Sequence, residues 1–221
     1  GLAVLEPRNL DTLRLSIQHA ARLAQCVAKP VAIIVDEVLF HSRGMLEVAP
    51  NREVETLDTA VALRRRRRHG SREDGDILEL ARPLDLTRTT AMPSPGEREP
   101  LGLISTGVAS TAVEHLLEEL RLTGRVPTAQ LQLVHPIDAA PIERMLSRCE
   151  RVVLLETRPG RLVASILEIA ERLRRRGDLV AELTWQHLND DGSIVLEPSD
   201  AARPSILLRK IAHLLKPVRP S

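Results

Sequence analysis

Aromatic residues are nearly missing from this chain: among 221 residues there are one Trp, one Phe and no Tyr. Base stacking on aromatic platforms, the usual grip on single-stranded nucleic acid, is therefore nearly excluded. A net charge of +1 also gives no support to a basic nucleic-acid surface. There are only two cysteines, Cys26 and Cys149, too few to build a zinc or iron–sulfur site. Both fall on the apolar side of expected helices and read as buried, reduced thiols. No apolar run approaches the length of a membrane span and no signal peptide is visible, so the expected location is the cytoplasm, with no membrane partner. The phosphate-cradling, dinucleotide, nucleophile-elbow and zinc-protease motifs are all absent.

Leu, Val and Ile fill that gap, arranged as strands alternating with helices. LGLISTG is an apolar run ending at Gly107, and Thr111 to Glu114 reads as a capping box that opens a helix with Val113, Leu116, Leu117 and Leu120 on one face. AQLQLVHP is a second strand, stopped by Pro136. A helix with Pro141 in its first turn follows, burying Ile142, Met145, Leu146 and Cys149. VVLLE is a third strand closing on Glu156, and a helix carries Val163, Ile166, Leu167, Ala170 and Leu173 to Gly177. LVAELTW reads as a fourth strand, NDDGS as a turn, and Ile206, Leu207, Ile211, Leu214 and Leu215 as the inner face of a last helix. Such alternation argues for a parallel sheet covered by helices.

Residues 1–48 repeat the theme. GLAVLEP is a strand, and Asn9 or Asp11 caps a helix whose Leu13, Ile17, Ala20, Ala21, Ala24 and Val27 share a face. VAIIV is a strand with Asp36 at its carboxyl end and HSRG soon after. Ligands of open parallel sheets bind beyond the carboxyl ends of strands, which draws attention to Asp36, His41, Ser42 and Arg43, and by the same rule to His135 and Glu156. The plainer reading of the same residues is that Asp36 caps a turn, His41 and Arg43 are solvated, and His135 and Glu156 order loops. Residues 49–100 break the pattern with prolines, acidic groups and the run Arg64 to Arg68, followed by His69. They read as a charged linker, with a short helix through Val54 to Leu63 and ILELARPLDL as an extended crossing. The remaining histidines, His19, His115, His187 and His213, lack metal-ligand spacing.

The order VLEP, helix, KPVAIIVDE, HSRGMLEV resembles the end of the pyrimidine-type domain of the 2-oxoacid:ferredoxin oxidoreductases. HSRG is closest to the alpha subunit of indolepyruvate ferredoxin oxidoreductase. LGLISTGVAS, QLVHPID and RVVLLETRPGRL resemble domain II of the same enzymes, with Arg161 where Gln is usual. The resemblance implies an α/β fold: the end of a thiamine-enzyme pyrimidine-type domain (1–48), a linker (49–100) and a small parallel-sheet, transketolase C-terminal-like domain (101–221). It implies oxidative decarboxylation of a 2-oxoacid on thiamine diphosphate, with coenzyme A as acyl acceptor and electrons passing through iron–sulfur clusters to ferredoxin. It implies no catalytic residue in domain II. The thiamine and magnesium signature and the cluster cysteines have no counterpart here, and Asp191-Gly192-Ser193 is a likeness that nothing downstream completes. The expectation is thus an incomplete catalyst, a fragment or a split subunit that works with the remaining domains or subunits. His41, Ser42 and Arg43 are expected to face the thiamine site or the substrate carboxylate, since Arg matches a carboxylate in shape. Two other readings stay open: a beta-type subunit of a 2-oxoacid dehydrogenase complex, and a non-catalytic assembly module.

Overall fold

A computed structural model describes residues 2–27, 29–46, 74–158, 161–185 and 198–215. Two sheets organise them. The larger has the order β3-β5-β4-β7-β8, built from β3 (Thr87–Thr90), β4 (Glu99–Thr106), β5 (Thr128–Leu131), β7 (Cys149–Leu155) and β8 (Glu182–Trp185). All its pairs are parallel except β3 with β5, so it is a doubly covered α/β sheet with one antiparallel edge. The smaller sheet has the order β2-β1-β6, from β1 (Ala3–Leu5), β2 (Val31–Ile33) and β6 (Leu133–His135).

Alternation along the central strands explains the layers. Leu101 and Leu103 of β4, with Val153 and Leu155 of β7, face α4 (Gly107–Glu119) and α7 (Pro204–Leu215). Ile104, Val152 and Leu154 point the other way, onto α5 (Ala139–Arg148) and α6 (Arg161–Arg175). Strands buried on both faces must be apolar at nearly every position, as these are. A third core packs β1 and β6 against α1 (Leu10–Val27) and α3 (Asp74–Ala81), through Leu5, Leu23, Val27, Ile77 and Leu133.

Several expectations change. The helix after LGLIST starts at Gly107 with Thr106 as its N-cap, so Thr111 is helix interior and its Oγ1 donates to the Arg8 carbonyl at 3.0 Å. No capping box forms, because strand passes into helix without a loop. AQLQLVHP is two strands, not one. At Gln132 the chain leaves the large sheet and enters the small one, where β6 runs antiparallel to β1. ILELARPLDL is not extended: Ile77 and Ala81 bury one face of α3, and a 3-10 turn (Arg82–Leu84) follows. The polar TRTT then supplies β3, giving the sheet five strands rather than four.

Helix α1 buries Ser16, Ala20, Leu23 and Val27, leaving Ile17, Ala21 and Cys26 exposed. Its inner face is rotated from the expected one because Gln132 donates to Ser16 Oγ at 2.6 Å and draws that side inward. β2 is half-buried, since in the described residues it pairs on one side only. Leu167 lies at the rim of α6 rather than inside. The helix expected over Val54 to Leu63, the arginine run, His69, His187 and the Asp191-Gly192-Ser193 turn lie outside the described residues. Among the described residues no helix is long and apolar enough to cross a membrane.

Burial, with Glu99 adding to it and Arg98 partly offsetting it, pushes the Cys149 thiol up to about 12. Its thiol therefore stays protonated through the whole neutral range. Iodoacetamide at about pH 8 should alkylate Cys26 in the folded protein and spare Cys149 until denaturant is added, read by intact mass.

Candidate functional site

The carboxyl ends of the parallel strands in the two sheets meet. Glu6 follows β1, and its backbone N–H donates to the Gln132 carbonyl at 2.8 Å. Its carboxylate is buried against the first residue of α4, Gly107, which has φ of +51°. A Cβ at that position would lie 2.8 Å from Glu6 Oε1, so only glycine admits this approach. Thr106 makes no side-chain cap, and Glu6 supplies negative charge at the positive end of α4.

Glu156, after β7, repeats this arrangement. It is buried and accepts from the Leu162 N–H at 3.3 Å, at the start of α6. The register pairs Ser105 with Leu155, which puts Thr106 beside Glu156 one step further on. Ser105 Oγ, Thr106 Oγ1 and Thr157 Oγ1 are buried with no hydrogen-bond partner among the described residues. From the same loop, Arg158 Nη2 reaches the Val35 carbonyl, after β2, at 3.5 Å. Three buried carboxylates (Glu6, Asp36 and Glu156) and three unpaired hydroxyls thus mark the strand ends where parallel sheets take ligands.

Of the residues singled out from sequence, Asp36 and Glu156 belong to this edge. Asp36 accepts from the Val38 N–H at 2.9 Å and caps the short helix α2 (Glu37–Phe40), the plainer role foreseen for it. His41 ends that helix, exposed, its ring edge-on to Phe40 at 5.3 Å. Ser42 donates to the Val38 carbonyl at 2.6 Å and lines a groove of about 390 Å³ together with Leu10, Leu39, Met45 and Val108. Arg43 is exposed beside it. The structure separates His135 from these groups. It is opposite Val4, whereas Leu133 is opposite Leu5, so His135 lies toward the amino end of β1.

Glu6, Ser105, Thr106 and Thr157 were missed by sequence reasoning, although the rule that selected Asp36 and Glu156 applies to each. Among the described residues, no three His, Cys, Asp or Glu side chains are grouped to hold a metal ion. The edge offers carboxylates at helix starts and buried hydroxyls, a set able to bind and orient polar groups.

The sequence matches no family model and no curated protein. Its fold does match solved structures. A split-gene transketolase, described as an inactive beta4 tetramer, aligns with a TM-score of 0.50 at 14% identity, over 99% of this chain and 58% of that one. The 2-oxoglutarate:ferredoxin oxidoreductase from Magnetococcus marinus, solved with 2-oxoglutarate, coenzyme A and succinyl-CoA bound, aligns with a TM-score of 0.50 at 12% identity, over 97% of this chain and 42% of that one. The chain spans about half the length of each. The mixed α/β architecture with its parallel-rich sheet is thus one found among transketolase and 2-oxoacid:ferredoxin oxidoreductase structures.

The close approach of Glu6 to Gly107 can be measured. Gly107→Ala should destabilise the fold by roughly 1–2 kcal/mol from the left-handed backbone alone, with a further loss from the Glu6 contact. In a Glu6→Ala background the second part should vanish, giving a nonzero coupling in a double-mutant denaturation cycle. Strict additivity would show that the two residues do not press on each other.

Proposed function

We propose that this chain is part of a thiamine-diphosphate-dependent 2-oxoacid:ferredoxin oxidoreductase. In this reading residues 1–48 end a pyrimidine-type domain, 49–100 connect, and 101–221 form a transketolase C-terminal-like domain; β3 of the connector joins the large sheet and β6 of the last division joins the small one. The observation that carries the proposal is the fold match along nearly the whole chain to a 2-oxoglutarate:ferredoxin oxidoreductase, joined to the HSRG stretch just beyond β2. Within the family, HSRG favours an indolepyruvate-type alpha subunit in the cytoplasm. The complete reaction would use thiamine diphosphate with magnesium, iron–sulfur clusters, coenzyme A and ferredoxin.

The described residues offer no donor set for magnesium or a cluster, so this reading assigns those groups to the remaining domains or subunits. What this chain contributes is position. His41, Ser42 and Arg43 form an exposed edge beside the start of α1, where Gly44 packs near Leu10, and that edge is free to face a partner's site. An arginine there suits the carboxylate of a 2-oxoacid. The transketolase neighbour is inactive as a tetramer of one subunit type, which fits a chain of this fold needing another part to work.

Isolation of the native assembly, with intact-mass and cofactor analysis, tests the reading. It should yield thiamine diphosphate, iron–sulfur absorbance and either a larger chain or a second subunit. Recovery of a lone 24.5 kDa chain without thiamine or iron would favour the non-catalytic module instead. In the reconstituted assembly Arg43→Ala should raise KM for the 2-oxoacid about tenfold, the loss expected for one charged hydrogen bond. Unchanged kinetics for both Arg43→Ala and His41→Ala would remove the loop from the site.

A further inference from the structure

A cleft of about 230 Å³ lies between α1, the start of β3 and the end of β5, lined by polar side chains that the oxidoreductase reading leaves unused. Two guanidinium groups converge beside it on one carboxylate oxygen. Arg8 Nη1 donates to Glu114 Oε1 at 2.5 Å and to Gln130 Oε1 at 2.8 Å, and Arg88 Nη1 donates to the same Glu114 oxygen at 3.0 Å. Two positive charges against one negative leave this trio with one positive charge in excess.

Most of its donors are unspent. A guanidinium carries five N–H donors in a planar fork. Among the described residues, neither Arg8 nor Arg88 gives its Nε or Nη2 to a protein acceptor. Gln130 is 8% exposed, and its carbonyl is held by Arg8, which turns the amide nitrogen away with no protein acceptor of its own among the described residues. Ser110, also buried, lines the same space, and Leu15, Leu84 and Leu86 supply apolar walls. Two acidic groups border the cleft as well. Glu6 is turned onto Gly107, and Asp85 stands on an exposed left-handed corner. Burial, and then Arg22, hold the His19 imidazole below its ordinary range, so at neutral pH it adds no charge.

The geometry points to a binding site for a compact oxyanion, the carboxylate or phosphate head of a small molecule, seated among Arg8, Arg88 and Gln130 with a short apolar portion against Leu15 and Leu84. Such an anion brings the trio to neutrality and meets the forked donors that match carboxylate and phosphate oxygens. Arg8 also borders the groove lined by Ser42, but Arg88 and Gln130 do not, and the proposal does not rest on the oxidoreductase reading.

Calorimetric titration of the full chain with sodium acetate and, separately, with inorganic phosphate, at ionic strength matched by chloride, tests it. At least one probe should bind saturably, and the tighter one identifies the head group. Arg88→Ala lowers the trio's charge to zero and should weaken binding about tenfold or more. Glu114→Gln raises it by one and should tighten binding several-fold. Arg151→Ala removes an arginine paired with Glu182 elsewhere on the sheet and should change nothing. Melting curves confirm that each variant is folded; if Glu114→Gln is not, Arg88→Ala against Arg151→Ala decides alone. Absence of saturable binding for both probes, or equal effects of the Arg88 and Arg151 variants, overturns the assignment.

Discussion

A buried carboxylate pressed against a backbone with no side chain joins the two halves of this fold. Glu6 leaves β1 of the small sheet and ends at Gly107, the first residue of the helix that leaves β4 of the large one. A Cβ there would force the Glu6 side chain to shift, and the left-handed backbone resists one as well. Around this contact the connections fall into place. β5 continues past Gln132 into the small sheet, Thr111 of α4 holds the Arg8 carbonyl, and Arg158 of the β7–α6 loop reaches Val35. Carboxyl ends of parallel strands from both sheets are thereby held together, and the polar groups that sequence scatters along the chain share one edge.

Much of the architecture was legible because burial on both faces leaves little choice of residue. LGLIST, VVLL and the helices between them could be read from apolar periodicity alone, and Pro141 lies in the first turn of α5 as expected, with Asp138 as the cap that the structure adds. What could not be read depended on partners distant in sequence. TRTT has no apolar alternation, and it is a strand because β5 offers it an edge. AQLQLVHP looks like one strand, and only the presence of β1 divides it in two. The face of α1 was misjudged because a buried serine, Ser16, is satisfied by Gln132 from 116 positions away and so belongs inside. Spacing cannot show a polar residue whose partner comes from another element.

The site was legible in part, for a related reason. Asp36 and Glu156 stand out because each follows a long apolar run, and both are buried at strand ends. Glu6 obeys the same rule but follows only a short strand and precedes Pro7, so it reads as a turn. Ser105 and Thr106 were absorbed into the strand they terminate. His135, by contrast, looked equivalent from sequence because the antiparallel turn of β6, which carries it toward the amino end of β1, was hidden.

The unpaired hydroxyls bear on whether the strand ends are core or site. Leaving a buried donor unsatisfied costs on the order of 1–3 kcal/mol each, while an apolar residue of similar shape would fill the same space without that penalty. Ser105, Thr106 and Thr157 find no protein partner among the described residues, and they lie at the carboxyl end of β4 and just beyond that of β7. Further down the same strands, Leu103, Ile104, Val153 and Leu154 show how this sheet is packed where stability alone decides. On β4 the change from Leu103 and Ile104 to Ser105 and Thr106 comes within two residues and on both faces, whereas β7 stays apolar to Leu155 and turns polar only at Glu156 and Thr157 in the loop beyond it. The polar groups that close the two central strands are thus gathered where β4 and β7 end, beside Glu6 and Glu156, and the helical layers that cover the sheet meet its apolar positions.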